Sequence, residues 1–107
     1  TMDLVFRHQG RYYLLDYKSN FLGETASAYG KEQLIQTICA QHYDWQYLIY
    51  CVALNRYLRE RDPQYSYEQH FGGVLYAFLR GMDGQPQSGI FFDKPSPALM
   101  AALEEVF

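Results

Sequence analysis

The sequence predicts an α/β fold with a mixed β-sheet flanked by helices, and three observations lead to this prediction. Two short runs rich in β-branched and aromatic residues meet at Gln9-Gly10, which predicts a β-hairpin. Residues 31–61 contain neither proline nor glycine and follow a helical pattern. An almost wholly apolar segment at about residues 72–80 predicts a strand buried on both faces, which is typical of parallel pairing. The helices between the hairpin and this strand supply the crossover that parallel pairing requires.

The hairpin, residues 2–18, carries two aspartates and a lysine that the predicted register brings together. A two-residue turn, in which Gly10 supplies the positive φ, determines which residues face each other. On that register Asp3 lies opposite Asp16, with Cβ atoms about 4.5–5.5 Å apart. Lys18 follows Asp16 by two positions, so strand alternation puts it on the same face of the sheet.

This arrangement suits a divalent cation. Two facing carboxylates repel each other, and a cation between them would turn the repulsion into a binding site. Mg²⁺ is held by one or two carboxylates together with waters and substrate phosphates. A lysine beside such a pair can steer a phosphate or assist proton transfer to a nucleophilic water. On the residues alone, the alternative stays open that Asp3 and Asp16 are solvated strand ends and Lys18 is a surface cation.

The long helical stretch is predicted to break near His42-Tyr43, which gives helices at about residues 31–41 and 43–61. The second helix is nearly continuous in apolar residues from 47 to 54 and is therefore expected to be largely buried. An apolar face of the first helix is predicted at four positions, Leu34, Ile35, Ile38 and Cys39.

The rest of the chain is expected to complete the sheet and to end in a helix. The charged residues at 56–62 are predicted to be a solvated helix end, and residues 64–69 a loop. An edge strand is predicted at about residues 88–92. Ser96 is the expected N-cap of a last helix at about residues 97–106. The apolar stripe of that helix is predicted at Leu99, Leu103 and Val106.

Composition excludes several classes of protein. The net charge of −3 argues against a free-standing basic nucleic-acid binder. No apolar run reaches the ~18 residues of a membrane helix, and no signal-peptide pattern is present, so we expect a cytoplasmic protein without a membrane segment. Cys39 and Cys51 match neither a zinc pattern nor a disulfide framework and are predicted to be buried thiols. His8, His42 and His70 are predicted to be structural, with metal ligation by His70 as the less favoured alternative.

The hairpin resembles the active-site hairpin of the PD-(D/E)XK nucleases, in which an Asp precedes a strand that carries (D/E)-x-K. More closely, the chain is similar to the C-terminal nuclease domains of the RecB family, subunits of the RecBCD helicase-nuclease (exonuclease V). The stretches that carry this resemblance are DLVFRHQGRYYLLDYKSN, YDWQYLIYCVALNRYL and HFGGVLYAFLRG, in family order. The resemblance implies a restriction-endonuclease-like core whose N-terminal part, with a further active-site His or Glu, is missing from this sequence.

The resemblance also implies the chemistry. It makes the chain part of a magnesium-dependent deoxyribonuclease that hydrolyses DNA phosphodiesters in double-strand break repair and recombination, with Mn²⁺ as a substitute metal. Asp3, Asp16 and the backbone carbonyl of Tyr17 are the implied metal ligands. Lys18 is the implied partner of the attacking water or of the transition-state phosphate. With the front of the domain absent, we expect little cleavage by the isolated chain.

Gln46 and Tyr50 form a second implied motif. They share a helix face at i and i+4, and the family has Gln-x-x-x-Tyr at this place. The resemblance implies that they orient the active site or the DNA backbone. The residues alone equally allow a buried glutamine bonded to backbone and a tyrosine that fills the core.

The implied partners are DNA, the RecC and RecD subunits and the RecA recombinase, with an ATP-driven helicase elsewhere in the full-length protein. An alternative function is therefore an interaction module that docks RecA. Another is the nuclease domain of a related helicase-nuclease or phage protein with the same hairpin.

Overall fold

A four-stranded mixed sheet with helices packed against it forms the centre of the structure, a computed structural model that describes residues 4–82 and 89–107. The strand order is β1-β2-β3-β4; β2 and β3 are parallel, whereas the two outer pairings are antiparallel. The predicted α/β fold with a mixed sheet is therefore confirmed. In chain order the elements are β1 (Leu4–His8), β2 (Arg11–Lys18), α1 (Lys31–Ala40), α2 (Tyr43–Arg61), α3 (Tyr67–His70), β3 (Phe71–Phe78), β4 (Ile90–Asp93) and α4 (Pro97–Val106), with 3-10 turns at Ala26–Tyr29 and Leu79–Gly81.

The β1–β2 hairpin has the predicted register. His8 faces Arg11, and the pairing continues without a shift to the end of β1. Gln9 and Gly10 both have positive φ, 51° and 79°, which is the backbone of a type I′ turn. The sequence predicted a positive φ only at Gly10. In a type I′ turn, however, both central residues lie in the left-handed region. Asp3 lies outside the described residues.

The parallel β2–β3 pair is the centre of the sheet. It runs from Tyr12 opposite Phe71 to Lys18 opposite Phe78, with one shift beside Tyr12 where Gly72 is passed over. A Cβ on Gly72 would lie 2.3 Å from the ring of Tyr13, so any other residue at this bulge would displace that ring. Nearly all of β3 is buried, as predicted for a strand covered on both faces.

Helix α1 buries a narrower stripe than the sequence predicted. Leu34 and Ile38 are each 2% exposed, whereas Ile35 is 39% exposed. Cys39 is also exposed, so the prediction of a buried thiol is wrong at this position and right only for Cys51. Successive helical residues are about 100° apart around the axis. Because α1 packs with the row of Leu34 and Ile38, the neighbouring row of Ile35 and Cys39 faces solvent.

Helix α2 is likewise more exposed than predicted. Tyr47, Cys51 and Val52 are buried against the sheet, but Trp45 and Ile49 are 57% and 47% exposed. The prediction of a largely buried helix is therefore wrong for one of its faces. In the part of the chain that the structure describes, no helix is both long and apolar enough to cross a membrane.

The buried face of the C-terminal helix α4 overlaps only partly with the predicted stripe, because Leu103 packs against the core as predicted but the other two residues do not. Met100 is 3% exposed, whereas Leu99 and Val106 are 41% and 76% exposed. Glu104, four residues after Met100 and on the same side of the helix, accepts a 2.8 Å hydrogen bond from the amide of Asn55 on α2. The side of α4 that carries Met100 and Glu104 therefore faces α2 and the core.

The charged end of α2 is not simply solvated, which corrects a further prediction. Arg59 forms a 3.0 Å ion pair with Glu104. Arg56 donates hydrogen bonds of 2.8 and 2.6 Å to the backbone oxygens of Glu104 and Phe107. Both arginines therefore link α2 to the C-terminal end of α4 through polar contacts.

The segment predicted as a loop before β3 contains the short helix α3. The side chain of Ser66 accepts a hydrogen bond from the backbone N–H of Gln69, as an N-cap does. The Nδ1 atom of His70 accepts a 3.0 Å hydrogen bond from the backbone N–H of Ser66. His70 therefore has a structural role, in line with the favoured prediction.

Candidate active site

The carboxyl end of β2 brings Asp16 and Lys18 to one face of the sheet. Strand alternation directs both towards α2, and Asp16 is 2% exposed. On the neighbouring strand β3, Tyr76 lies opposite Asp16 and Phe78 lies opposite Lys18. A buried carboxylate is costly unless it is paired. The ammonium of Lys18 supplies that partner, since its Nζ atom forms an ion pair with Oδ2 of Asp16.

Gln46 joins this ion pair from α2. Its Oε1 atom lies 3.5 Å from Nζ of Lys18 and 2.8 Å from the hydroxyl oxygen of Tyr76. Burial, together with the negative charge of Asp16, raises the pKa of the Tyr76 hydroxyl far above its ordinary value. The hydroxyl therefore remains a protonated donor.

Two aromatic rings enclose the lysine. Nζ of Lys18 lies 4.1 Å from the ring centroid of Tyr43 and 5.2 Å from that of Tyr76. The two rings meet almost at a right angle, with an interplanar angle of 88°. Both distances fall within the range of cation–π attraction, so the ammonium is held by rings as well as by Asp16 and Gln46.

The donor atoms at this end of β2 are of the type that Mg²⁺ prefers. Asp16 provides a carboxylate, with about four lone-pair sites, and Tyr17 provides a backbone carbonyl. These are hard oxygen ligands, and Mg²⁺ needs only one or two protein carboxylates besides waters. Among residues 4–82 and 89–107, no cluster of three or more His, Cys, Asp or Glu side chains is suited to a metal. The other carboxylate of the predicted site, Asp3, lies outside the described residues.

The remaining predicted candidates lie apart from the ion pair or have structural roles. Tyr50 is partly buried and packs against the hydrophobic core one turn after Gln46. His8 ends β1, and His42 takes a left-handed φ of 59° at the break between α1 and α2. Of the two residues in the Gln-x-x-x-Tyr motif, only Gln46 therefore contacts the Lys18 ammonium among the contacts that the structure describes.

Sequence reasoning missed Tyr43 and Tyr76. For Tyr76 a signal existed, because it is the one residue with a polar side-chain atom in the apolar segment GGVLYAFL. A buried tyrosine hydroxyl normally finds a hydrogen-bond partner. Tyr43 carried no comparable signal, since a tyrosine in the first turn of a helix is unremarkable without its neighbours.

Comparison with curated proteins yields relatives along the whole chain, whereas no family model matches. RecBCD enzyme subunit RecB of Haemophilus influenzae is 58% identical over 107 residues, which is 100% of this chain. RecBCD enzyme subunit RecB of Escherichia coli is 55% identical over 99% of the chain. The protein of the same name from Mycobacterium tuberculosis is 41% identical over 99% of the chain. The predicted resemblance to RecB is confirmed.

The chain corresponds to a small part of these relatives. It spans 9% of the length of the first two proteins and 10% of the third. Their names therefore describe proteins about ten times longer than the segment that carries Asp16, Lys18 and Gln46.

Proposed function

This chain is homologous to RecB subunits along its whole length, and we propose that it forms the nuclease centre of a RecBCD-type enzyme in double-strand break repair and recombination. The observation that carries the proposal is the buried Asp16–Lys18 ion pair at the carboxyl end of β2. A buried ion pair contributes little to stability compared with apolar packing, whereas a carboxylate and a lysine on one face suit phosphodiester hydrolysis.

Metal binding is the proposed role of Asp16, Asp3 and the backbone carbonyl of Tyr17. When bound, Mg²⁺, or Mn²⁺ in its place, would screen the phosphate charge and make water a stronger acid. The burial of Asp16 keeps competing water away from its carboxylate, which strengthens its interaction with a cation. The Lys18 ammonium beside it limits the negative charge that the site holds without metal.

Lys18 is the proposed partner of the attacking water or of the transition-state phosphate. An ammonium has three N–H groups, and Asp16 and Gln46 account for two of them among the described residues. We assign the third to an oxygen of the transition-state phosphate or to the nucleophilic water. A fixed cation aimed at developing negative charge lowers the barrier without reorganising during the reaction.

Gln46 and Tyr50 are proposed to position these groups and the DNA backbone. The contact between Gln46 and Lys18 supports this role for Gln46. Tyr50 is assigned to DNA positioning by the family resemblance, and its partly buried ring packs against the core.

The proposed partners are DNA and the RecC and RecD subunits. The net charge of −3 gives this chain no general attraction for DNA. In this proposal, other parts of the enzyme therefore supply the basic track that guides the strand, while the metal and Lys18 meet the scissile phosphate.

An Asp16→Ala substitution in the full-length enzyme tests the proposal. We expect DNA cleavage to be abolished while ATP-driven unwinding continues at the unsubstituted rate, because Asp16 serves only the phosphodiester chemistry. Asp62→Ala, at the C-terminal end of α2, is the matched control and should retain both activities. Loss of unwinding in Asp16→Ala, or normal cleavage by it, would contradict the assignment.

Docking of the RecA recombinase is a second candidate, favoured by one observation. Trp45, Ile49 and Tyr57 project from one side of α2 and are 47–57% exposed, which suits a protein contact. In a pull-down with RecA, we expect Asp16→Ala to retain RecA binding and Ile49→Ser to lose it. This result would show that docking does not depend on cleavage. Equal retention by Ile49→Ser and the unsubstituted protein would exclude this face as the docking site.

A further inference from the structure

Tyr76 lies at the centre of the contacts around Lys18, although neither the family motifs nor the sequence pattern assigns it a role. It is fully buried on β3, directly opposite Asp16. Its hydroxyl lies 2.8 Å from Oε1 of Gln46 and 3.0 Å from the backbone oxygen of Tyr43. Its ring is one of the two nearly perpendicular aromatic rings that lie beside the Lys18 ammonium.

The chemistry of Lys18 determines which way the Gln46 amide faces. An ammonium is only a donor, so the amide atom 3.5 Å from it must be the oxygen, Oε1. The same oxygen accepts from the Tyr76 hydroxyl, whose single proton is shared between Oε1 of Gln46 at 2.8 Å and the backbone oxygen of Tyr43 at 3.0 Å. The two donors, Lys18 and Tyr76, thus share one acceptor atom.

The shared acceptor atom fixes the orientation of the Gln46 side-chain amide. A glutamine side chain has three rotatable bonds, and its terminal torsion is broad. With Lys18 as its sole partner at 3.5 Å, the amide would be weakly oriented, because a contact of that length is at the outer limit of hydrogen bonding. The shorter bond from the buried Tyr76 hydroxyl keeps the oxygen directed at Lys18.

We propose that Tyr76 is a positioning residue for DNA cleavage, acting through Gln46 to hold the Lys18 ammonium beside Asp16. This inference rests on the proposed function, in which Lys18 contacts the attacking water or the transition-state phosphate. Tyr76 itself touches neither the substrate nor the metal. Its hydroxyl sets the orientation of Gln46, and its ring restricts the ammonium from the other side.

The test is Tyr76→Phe in the full-length enzyme, which removes the hydroxyl and keeps the ring. We expect kcat for cleavage to fall by about tenfold, the effect of about one net hydrogen bond. The KM for DNA, the metal concentration for half-maximal activity and the unwinding rate should not change. Orientation of Lys18 affects the chemical step alone, so a fall confined to kcat distinguishes positioning from general loss of structure.

Tyr65→Phe is the matched control. The Tyr65 hydroxyl donates a 2.6 Å hydrogen bond to the side-chain amide oxygen of Asn55, the same chemistry at a place away from Lys18. Its removal should cost comparable stability and leave kcat unchanged. An equal fall of kcat in both variants would overturn the proposal.

Gln46→Met is a second test of the proposal, because it keeps the length of the side chain and removes the acceptor atom Oε1. It should reproduce the fall in kcat, and the double variant with Tyr76→Phe should be no slower than Gln46→Met alone. Additive losses would show that Tyr76 does not act through Gln46 and would overturn the inference. If Tyr76→Phe does not fold, full-rate cleavage by Gln46→Met overturns it equally.

Lys18→Ala distinguishes failure of the proposed nuclease function from failure of the positioning role of Tyr76. Normal cleavage by Lys18→Ala would remove the proposed role of Lys18 and this inference with it. An inactive Lys18→Ala beside a fully active Tyr76→Phe would overturn the positioning role alone and leave the proposed nuclease function in place.

Discussion

Leu4 lies directly opposite Leu15 at the open end of the β1–β2 hairpin, in an antiparallel ladder that has no shift from there to the turn. The next residue of β2 is Asp16, which is buried and paired with Lys18. A ladder that continued for one more pair would bring residue 3 opposite Asp16, at a Cβ separation of about 4.5–5.5 Å. This register is the physical basis for predicting a two-carboxylate metal site.

The first prediction concerns those carboxylates. We expect Asp3→Asn and Asp16→Asn each to weaken Mn²⁺ or Mg²⁺ binding by about tenfold or more, because Mg²⁺ uses only one or two protein carboxylates. Isothermal titration calorimetry of the metal into each variant measures the effect. Asp62→Asn is the control for a general loss of charge. A full-affinity Asp3→Asn beside a weakened Asp16→Asn would contradict the assignment of Asp3 as a metal ligand.

The hairpin, the crossover and the break between the two long helices were predictable because their signals are local. A glycine in a two-residue turn sets the register, and a helical pattern without proline marks α1 and α2. Helix faces were less predictable. On α4, Leu99 and Met100 are neighbouring apolar residues. Met100 lies on the side of the helix that contacts α2 through the bond from Asn55 to Glu104, and no pattern within α4 contains that contact.

In the candidate site, too, some residues are predictable from local sequence and others depend on tertiary packing. Strand alternation is enough to put Asp16 and Lys18 on one face, and the family motif draws attention to Gln46. The role of Tyr76 depends on the parallel register that sets it opposite Asp16. That register follows from packing between distant segments, because parallel strands have no connecting turn to determine it.

The second prediction concerns the ring of Tyr43, whose centroid lies 4.1 Å from the Lys18 ammonium. Tyr43→Leu removes the cation–π contact and should lower kcat for DNA cleavage by about three- to tenfold. Tyr43→Phe retains the ring and should cost clearly less. Single-turnover cleavage by the full-length enzyme measures the difference, with DNA unwinding as the check on folding. Equal losses in the two variants would assign the effect to the hydroxyl instead of the ring.

The third prediction concerns the two cysteines. Cys39 is exposed on α1, whereas Cys51 is 0% exposed, and burial raises the pKa of its thiol above the ordinary value. The thiolate is the reactive form, so a thiol-specific reagent such as DTNB should modify one cysteine in the folded protein and both in denaturant. Cys39→Ser should abolish the fast reaction. Rapid modification of Cys51 in that variant would contradict the packing of α2 against the sheet.

The fourth prediction is a pH dependence carried by Glu104. Partial burial acts to raise the pKa of its carboxyl, but hydrogen bonds from Asn55 and Arg59 outweigh this and lower it. Because the folded-state pKa lies below the unfolded value of about 4.3, Glu104 contributes stability above that value. The contribution is lost as the pH falls through the folded-state pKa.

Urea unfolding at a series of pH values tests this sign. Glu104→Gln should lower the free energy of unfolding by about 1 kcal/mol near neutral pH, as expected for a partly exposed ion pair. The difference from the unsubstituted protein should shrink as the pH falls below the unfolded value of about 4.3 and through the lowered folded-state pKa, where the carboxylate becomes protonated and its charged bonds are lost. Glu105→Gln, at the exposed neighbouring position, is the matched control. A deficit in Glu104→Gln that stays constant from neutral to acid pH would mean that Glu104 fastens α4 to α2 through its shape and neutral hydrogen bonds rather than through its charge.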